Sequence, residues 1–134
     1  MNKKSVLLII LLVFSILCDA AKSQNTAVKF LKLSDRNIKI AVKKYNRLVI
    51  LFHSKWCENS RKTFNTLSEM AKSPLSEDIR KNRIVIAHFM SKDKKEILSE
   101  LGVSNFPEIR FWNDGAQAVY DGEDYSQENI WKFI

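Results

Sequence analysis

Cys57 is the residue in this sequence best placed to do chemistry, and its neighbours define what that chemistry is. It stands in Ser54-Lys55-Trp56-Cys57-Glu58-Asn59-Ser60-Arg61, where an apolar run gives way to helical periodicity. A cysteine in the first turn of a helix faces unpaired backbone N–H groups and the positive end of the helix dipole. Both favour the thiolate, the nucleophilic form. Ser60, three residues on, shares the helical face of Cys57, so its hydroxyl can donate a hydrogen bond to the sulfur. Lys55 and Arg61 would lower the thiol pKa while Glu58 would raise it, and charge alone leaves the sign open. The competing reading is an inert thiol buried at a helix start. Trp56, a large aromatic on what reads as an exposed loop, argues against that. His53 reads as a partly buried core residue, with a role in tuning Cys57 as the alternative.

The other cysteine, Cys18, lies in an N-terminal stretch unlike the rest of the chain. Lys3 and Lys4 precede an apolar run from Val6 to Cys18 broken only by Ser15, and the chain turns polar at Asp19. This is the pattern of a secretory signal peptide over residues 1–20, too short for a comfortable membrane span, so no permanent anchor is expected. Cleavage after Ala20 would leave residues 21–134 as the mature domain, with Cys57 as its lone thiol and no intramolecular disulfide. A lone thiol in an oxidising compartment points to pairing with another chain or to reactivity. No metal or cofactor is expected, because Cys57, His53 and His88 lack further ligands at workable spacing. No Asn-x-Ser/Thr acceptor occurs either.

The elements that must position Cys57 follow from periodicity. Ala27 to Leu33 reads as a strand, and Ser34 as the N-cap of a helix that carries Ile38, Ala41, Val42 and Tyr45 and stops near Asn46. Leu48 to Phe52 is a continuous apolar run rich in branched residues, the signature of a central strand buried on both faces. Beyond Cys57, Phe64, Leu67, Met70 and Ala71 line one face of a helix that Pro74 ends. A strand at Ile84–Ala87 and a helix with Ile97, Leu98 and Leu101 follow, and Gly102 terminates that helix. Ile109 to Trp112 and Ala118 to Tyr120 form a hairpin about Asn113-Asp114-Gly115. A last helix runs from Ser126 through Ile130, Trp131 and Phe133, and the chain ends inside it. The order β-α-β-α-β-α-β-β-α predicts an α/β domain: a central sheet with helices on both faces.

With 134 residues, 46% hydrophobic and 28% charged, one globular domain with a single core is the natural expectation. The net charge of +7 falls only to +6 when Lys3, Lys4 and Asp19 are removed. The remaining lysines and arginines are scattered, without aromatic interleaving, so they read as solvated faces and no nucleic-acid partner is expected.

The segment Leu48 to Lys62, followed by Gly102-Val103-Ser104-Asn105-Phe106-Pro107 and Tyr120-Asp121-Gly122, resembles the thioredoxin-like domains of the protein disulfide isomerase family. The resemblance covers nearly all the chain after the leader. It implies a thioredoxin fold with a mixed sheet, Cys57 as the attacking thiol, and Pro107 as the family's cis-proline. The Pro107 loop would face the sulfur and offer backbone hydrogen bonds to an extended client. In the alternative reading, a redox-silent adaptor, Trp56 and Phe106 would form an apolar docking surface beside the sulfur. The second cysteine of the family's Cys-x-x-Cys is Ser60 here, and a hydroxyl cannot resolve a mixed disulfide. Leu51 falls where many members carry a buried acid that serves the resolving cysteine, so the two departures agree. Glu108 replaces a usual threonine and Asn65 a helix proline. The resemblance thus implies a monothiol protein of the endoplasmic reticulum lumen or the secreted space. Its partners would be unfolded or cysteine-bearing clients, with glutathione as a further candidate. The other reading is a redox-silent adaptor that binds clients without a covalent bond.

Overall fold

The computed structural model describes residues 2–5, 30–72, 81, 83–92 and 96–134. The apolar run from Val6 to Cys18, the first residues of the strand expected over Ala27–Leu33, and Pro74 lie outside the described residues. Among those described, no helix is long and apolar enough to cross a membrane.

Leu48, Ile50 and Phe52 pack into one core cluster while Val49 and Leu51 pack into the other. This alternation is what a fully buried strand imposes. The strand, β2, runs Arg47–Ser54, and its five central apolar side chains are wholly buried. Each stabilises the fold by roughly 1.5–3 kcal/mol relative to exposure. Around it lie β1 (Leu31–Leu33), β3 (Ile84–Ser91), β4 (Glu108–Asn113) and β5 (Ala116–Val119), in the order β1-β3-β2-β4-β5. The first three pair in parallel, and β4 runs antiparallel to both β2 and β5. The sheet is therefore mixed, with β2 at its centre.

Among the described residues, the helices that pack on the sheet are α1 (Ile38–Lys44), α2 (Glu58–Lys72), α3 (Glu96–Leu101) and α4 (Gln127–Phe133). Ile38 and Ala41 of α1 and Ile97 and Leu98 of α3 share a cluster with Leu48, Ile50 and Phe52. Leu67, Met70 and Ala71 of α2 and Ile130 of α4 share the other cluster with Val49 and Leu51. Among the described residues, each face of the sheet thus carries a pair of helices.

Several boundaries differ from the sequence expectation. Ser34 is not an N-cap: α1 starts at Ile38, and Asn37 turns its side-chain oxygen back to accept the Ser34 N–H at 2.7 Å. Asn wins here because its amide closes a short turn that serine cannot close from four residues earlier. Phe30 precedes β1, and its ring packs on Phe64 and His88 instead of pairing in the ladder. Strand β3 extends to Ser91, four residues past the expected end, because it pairs with β2 along that strand's whole length.

Two turns match their residues. Asp114 and Gly115 both adopt positive φ, 49° and 88°, as a two-residue hairpin turn between the paired Asn113 and Ala116 requires. Gly102, at φ 68°, ends α3: its N–H reaches Ser99 O and the Val103 N–H reaches Leu98 O. That double closure is the Schellman arrangement, and it aims the chain into the loop carrying Phe106 and Pro107.

Candidate functional site

Strand β2 ends at Ser54 and α2 begins at Glu58, so Cys57 sits at the strand-to-helix junction with its side chain partly exposed. The turn is closed by the Cys57 N–H to Ser54 O and by the Arg61 N–H to Cys57 O. The thiol pKa is lowered from its ordinary value. The backbone N–H of Ser60 contributes most, then the Ser60 hydroxyl; burial opposes them, and the Asn59 N–H adds a further lowering. These are the orphan donors of a helix first turn, and they stabilise a negative sulfur.

The flanking charges are not what sets the sign. Glu58 points along α2 to Lys62, at 3.4 Å, and Lys55 lies over the Trp56 ring. Paired and solvated in this way, they act weakly on the sulfur compared with donors aimed at it.

Ser60 is wholly buried, and its oxygen accepts the Ser54 N–H at 3.2 Å. The hydroxyl therefore receives from the end of β2 and gives to the sulfur. Across the site the Cys57 thiol donates to the Phe106 carbonyl at 3.7 Å. The Phe106–Pro107 peptide bond is cis, as the resemblance implies, and Tyr125 donates its hydroxyl to Pro107 O at 3.2 Å. Trp56 projects from the turn with 89% of its surface exposed, while Phe106 and Pro107 are half-buried. The structure thus brings Cys57, Ser60, Phe106 and Pro107 together, with Trp56 adjoining Cys57 in the chain.

Arg110 is the residue that sequence reasoning missed. It is 5% exposed, in the middle of β4. Its Nε donates to Glu108 at 2.7 Å, its Nη1 to Leu101 O at 2.5 Å and Gln117 Oε1 at 3.4 Å, and its Nη2 to Gly102 O at 3.0 Å. One guanidinium therefore holds both ends of the loop that presents Phe106 and Pro107. Glu108 turns its carboxylate to this clamp. A near signal existed, an acid and a base two residues apart on one strand face, but nothing in the pattern identified the loop carbonyls.

His53 is buried, as expected, and its Nε2 lies 3.0 Å from His88 Nδ1. Phe64 packs against both rings and Phe30 against His88. Burial holds His53 down at about 4, with His88 as a further cause, and burial and Lys32 lower His88. Both are neutral near pH 7, and neither is a cause of the shift at Cys57.

Comparison with known proteins fits this geometry. The rice (Oryza sativa subsp. japonica) protein disulfide isomerase-like 5-3 is 28% identical over 109 residues, which cover 79% of this chain and 25% of that protein. This chain thus spans about a quarter of the curated relative's length. Among solved structures, the J-Trx1 fragment of ERdj5 superposes with a TM-score of 0.64 at 22% identity, covering 77% of this chain and 47% of the other. The zinc-bound form of human ERp44 does so with a TM-score of 0.68 at 18% identity, covering 78% and 31%. At those identities the likeness establishes the thioredoxin fold. The family itself follows from the sequence: residues 29–134, carrying the Cys57 turn and the Pro107 loop, match Thioredoxin, and the chain belongs to the thioredoxin family.

Proposed function

We propose that this chain is a secretory-pathway protein, resident in the endoplasmic reticulum lumen or exported, that engages client proteins through the thiol of Cys57. Its work is protein folding or thiol–disulfide exchange, and the name of its rice relative supports that class. The observation that carries the reading is the thiol's setting. A partly exposed sulfur, with its pKa lowered by Ser60 and Asn59, faces the backbone carbonyl that precedes Pro107.

In the proposed step the Cys57 thiolate attacks one sulfur of a client disulfide. The client S–S bond breaks, its other sulfur leaves with the electron pair and takes a proton from water, and a Cys57–client disulfide forms. Ser60 holds the thiolate but cannot reopen the mixed disulfide. Release therefore falls to a thiol of the client or to glutathione. Trp56 and Phe106 supply apolar contact, and the backbone around Phe106 pairs with an extended client segment.

Rapid alkylation of cells expressing the tagged protein, followed by electrophoresis with and without reductant, tests this beside a Cys57→Ser control. Slow-migrating species that reductant removes and the control lacks are the expected result. A monomer band in every lane overturns covalent capture. It favours the second reading, a non-covalent adaptor, which the exposure of Trp56 supports. That reading expects client binding to survive Cys57→Ser and to fall with Trp56→Ala.

A further inference from the structure

A cavity of about 330 Å³ opens beside Pro107, between α2 and the segment leading into α4. Asn59, Lys62 and Thr63 form one wall, and Glu123 and Asp124 form the other. Its lining includes residues next to the reactive turn: Asn59 follows Cys57 by two residues, and Pro107 follows the Phe106 carbonyl that accepts the thiol. A client strand crossing Cys57 therefore passes this opening, and the space is enough for a whole side chain.

The charges of the cavity are unequal. Lys62 lies 3.4 Å from Glu58, so its charge is already opposed. The carboxylate of Asp124 is held in the wall, accepting from Ser126 N and from Asn129 Nδ2, both at 2.9 Å. The Tyr120 hydroxyl donates to its backbone carbonyl at 2.6 Å, which fixes the segment. Glu123 is exposed and has no hydrogen bond or ion pair with any described residue. A fixed carboxylate and an unpaired one thus face one opposed ammonium, in a chain whose overall charge is +7.

We infer that this cavity is a subsite for a basic client side chain, so that Cys57 exchanges fastest with cysteines flanked by arginine or lysine. The inference rests on the exchange reading above and adds the substrate class to it. The cation of the client completes the pairing that Glu123 lacks, and its aliphatic stem lies along Thr63 and Pro107. The field of the whole basic chain favours acidic clients, so local and global electrostatics predict opposite orders.

The test uses short synthetic peptides with one cysteine, each supplied as its mixed disulfide with thionitrobenzoate and differing only in Arg, Gln or Glu two residues from that cysteine. Cys57, having lost its proton to water, attacks the peptide sulfur. The bond to thionitrobenzoate breaks, the coloured thiolate leaves with the electron pair, and a Cys57–peptide disulfide forms. At low salt the Arg peptide is expected to react about two- to five-fold faster than the Gln peptide, the range of one exposed ion pair. The Glu peptide is expected to be slowest. Glu123→Lys inverts that order, and about 1 M salt levels it. Equal rates for the three peptides, or an unchanged order in Glu123→Lys, overturns the subsite and leaves the exchange reading standing. Absence of thionitrobenzoate release from every peptide overturns the exchange reading and the subsite with it.

Discussion

His53 and His88 share a single hydrogen bond across neighbouring strands, Nε2 to Nδ1 at 3.0 Å, with the Phe64 ring of α2 packed on both. One ring gives its N–H and the other accepts it, so the pair is satisfied only while at least one ring is neutral. Charging either ring must overcome burial, and Lys32 adds repulsion at His88.

A pH dependence of stability follows from this pair. Unfolded, each histidine titrates near 6.5; folded, His53 holds off its proton down to about 4, and His88 is lowered in the same direction. Between those values the unfolded chain binds more protons, so stability is full above about pH 6.5 and falls as pH drops toward 4. The proton that His53 excludes costs about 1.4 kcal/mol per pH unit in that window, and His88 acts in the same direction. Urea unfolding at pH 7.5 to 4.5 is expected to show this fall, and His53→Phe to show a shallower one. An equal slope in the variant would place the acid sensitivity elsewhere.

Arg110 gives a second expectation. Replacing it by methionine leaves the half-buried Glu108 carboxylate unpaired and strips the Leu101 and Gly102 carbonyls of their donor. Removing one partner of a buried pair costs about 3–5 kcal/mol. Adding Glu108→Thr removes the stranded charge, so the double variant is expected to be more stable than Arg110→Met alone. Denaturant unfolding of the four proteins measures this coupling. Simple additivity would mean that the two side chains do not act as a pair.

The parts of this protein legible from its sequence are those written in local patterns. The run Leu48–Phe52 marks the central strand, Asp114-Gly115 the hairpin, and Gly102 the end of α3, because each depends on neighbours in the chain. The start of α1 is misread because Ser34 and Asn37 both suit helix entry, and only the fold shows Asn37 bonding back to Ser34. The sign of the Cys57 shift is open from charges alone. Glu58 is drawn to Lys62, and the deciding donors are backbone N–H groups that no side-chain pattern displays. The His53–His88 bond spans 35 positions, and the Arg110 clamp joins a strand to a loop. Neither leaves a period to read.

Gly102 connects the legible fold to the site. Its φ of 68° is unfavourable for any residue with a Cβ, and nothing lies within 4 Å of the place a Cβ would occupy. Gly102→Ala is therefore expected to cost about 1–2 kcal/mol through backbone conformation alone. Thermal unfolding reads this cost. A much larger loss would reveal a contact rather than a backbone preference.

Ser60 separates the two roles of the position that follows Cys57 by a helical turn. Its hydroxyl and N–H both lower the Cys57 pKa, and alanine keeps the N–H while removing the hydroxyl. Ser60→Ala is therefore expected to raise the midpoint of Cys57 alkylation by iodoacetamide as a function of pH, slowing the reaction at neutral pH. An unmoved midpoint would leave the backbone as the whole cause. Ser60→Cys makes the complementary change, adding a second thiol on the same helical face within reach of the first. Mild oxidation is then expected to lower the mass of the intact chain by two hydrogens, and, on the exchange reading proposed above, the reductant-sensitive client species to diminish as the new thiol reopens them. If those species persist undiminished although the intramolecular disulfide forms, their lifetime is set by client geometry and not by the missing resolving thiol.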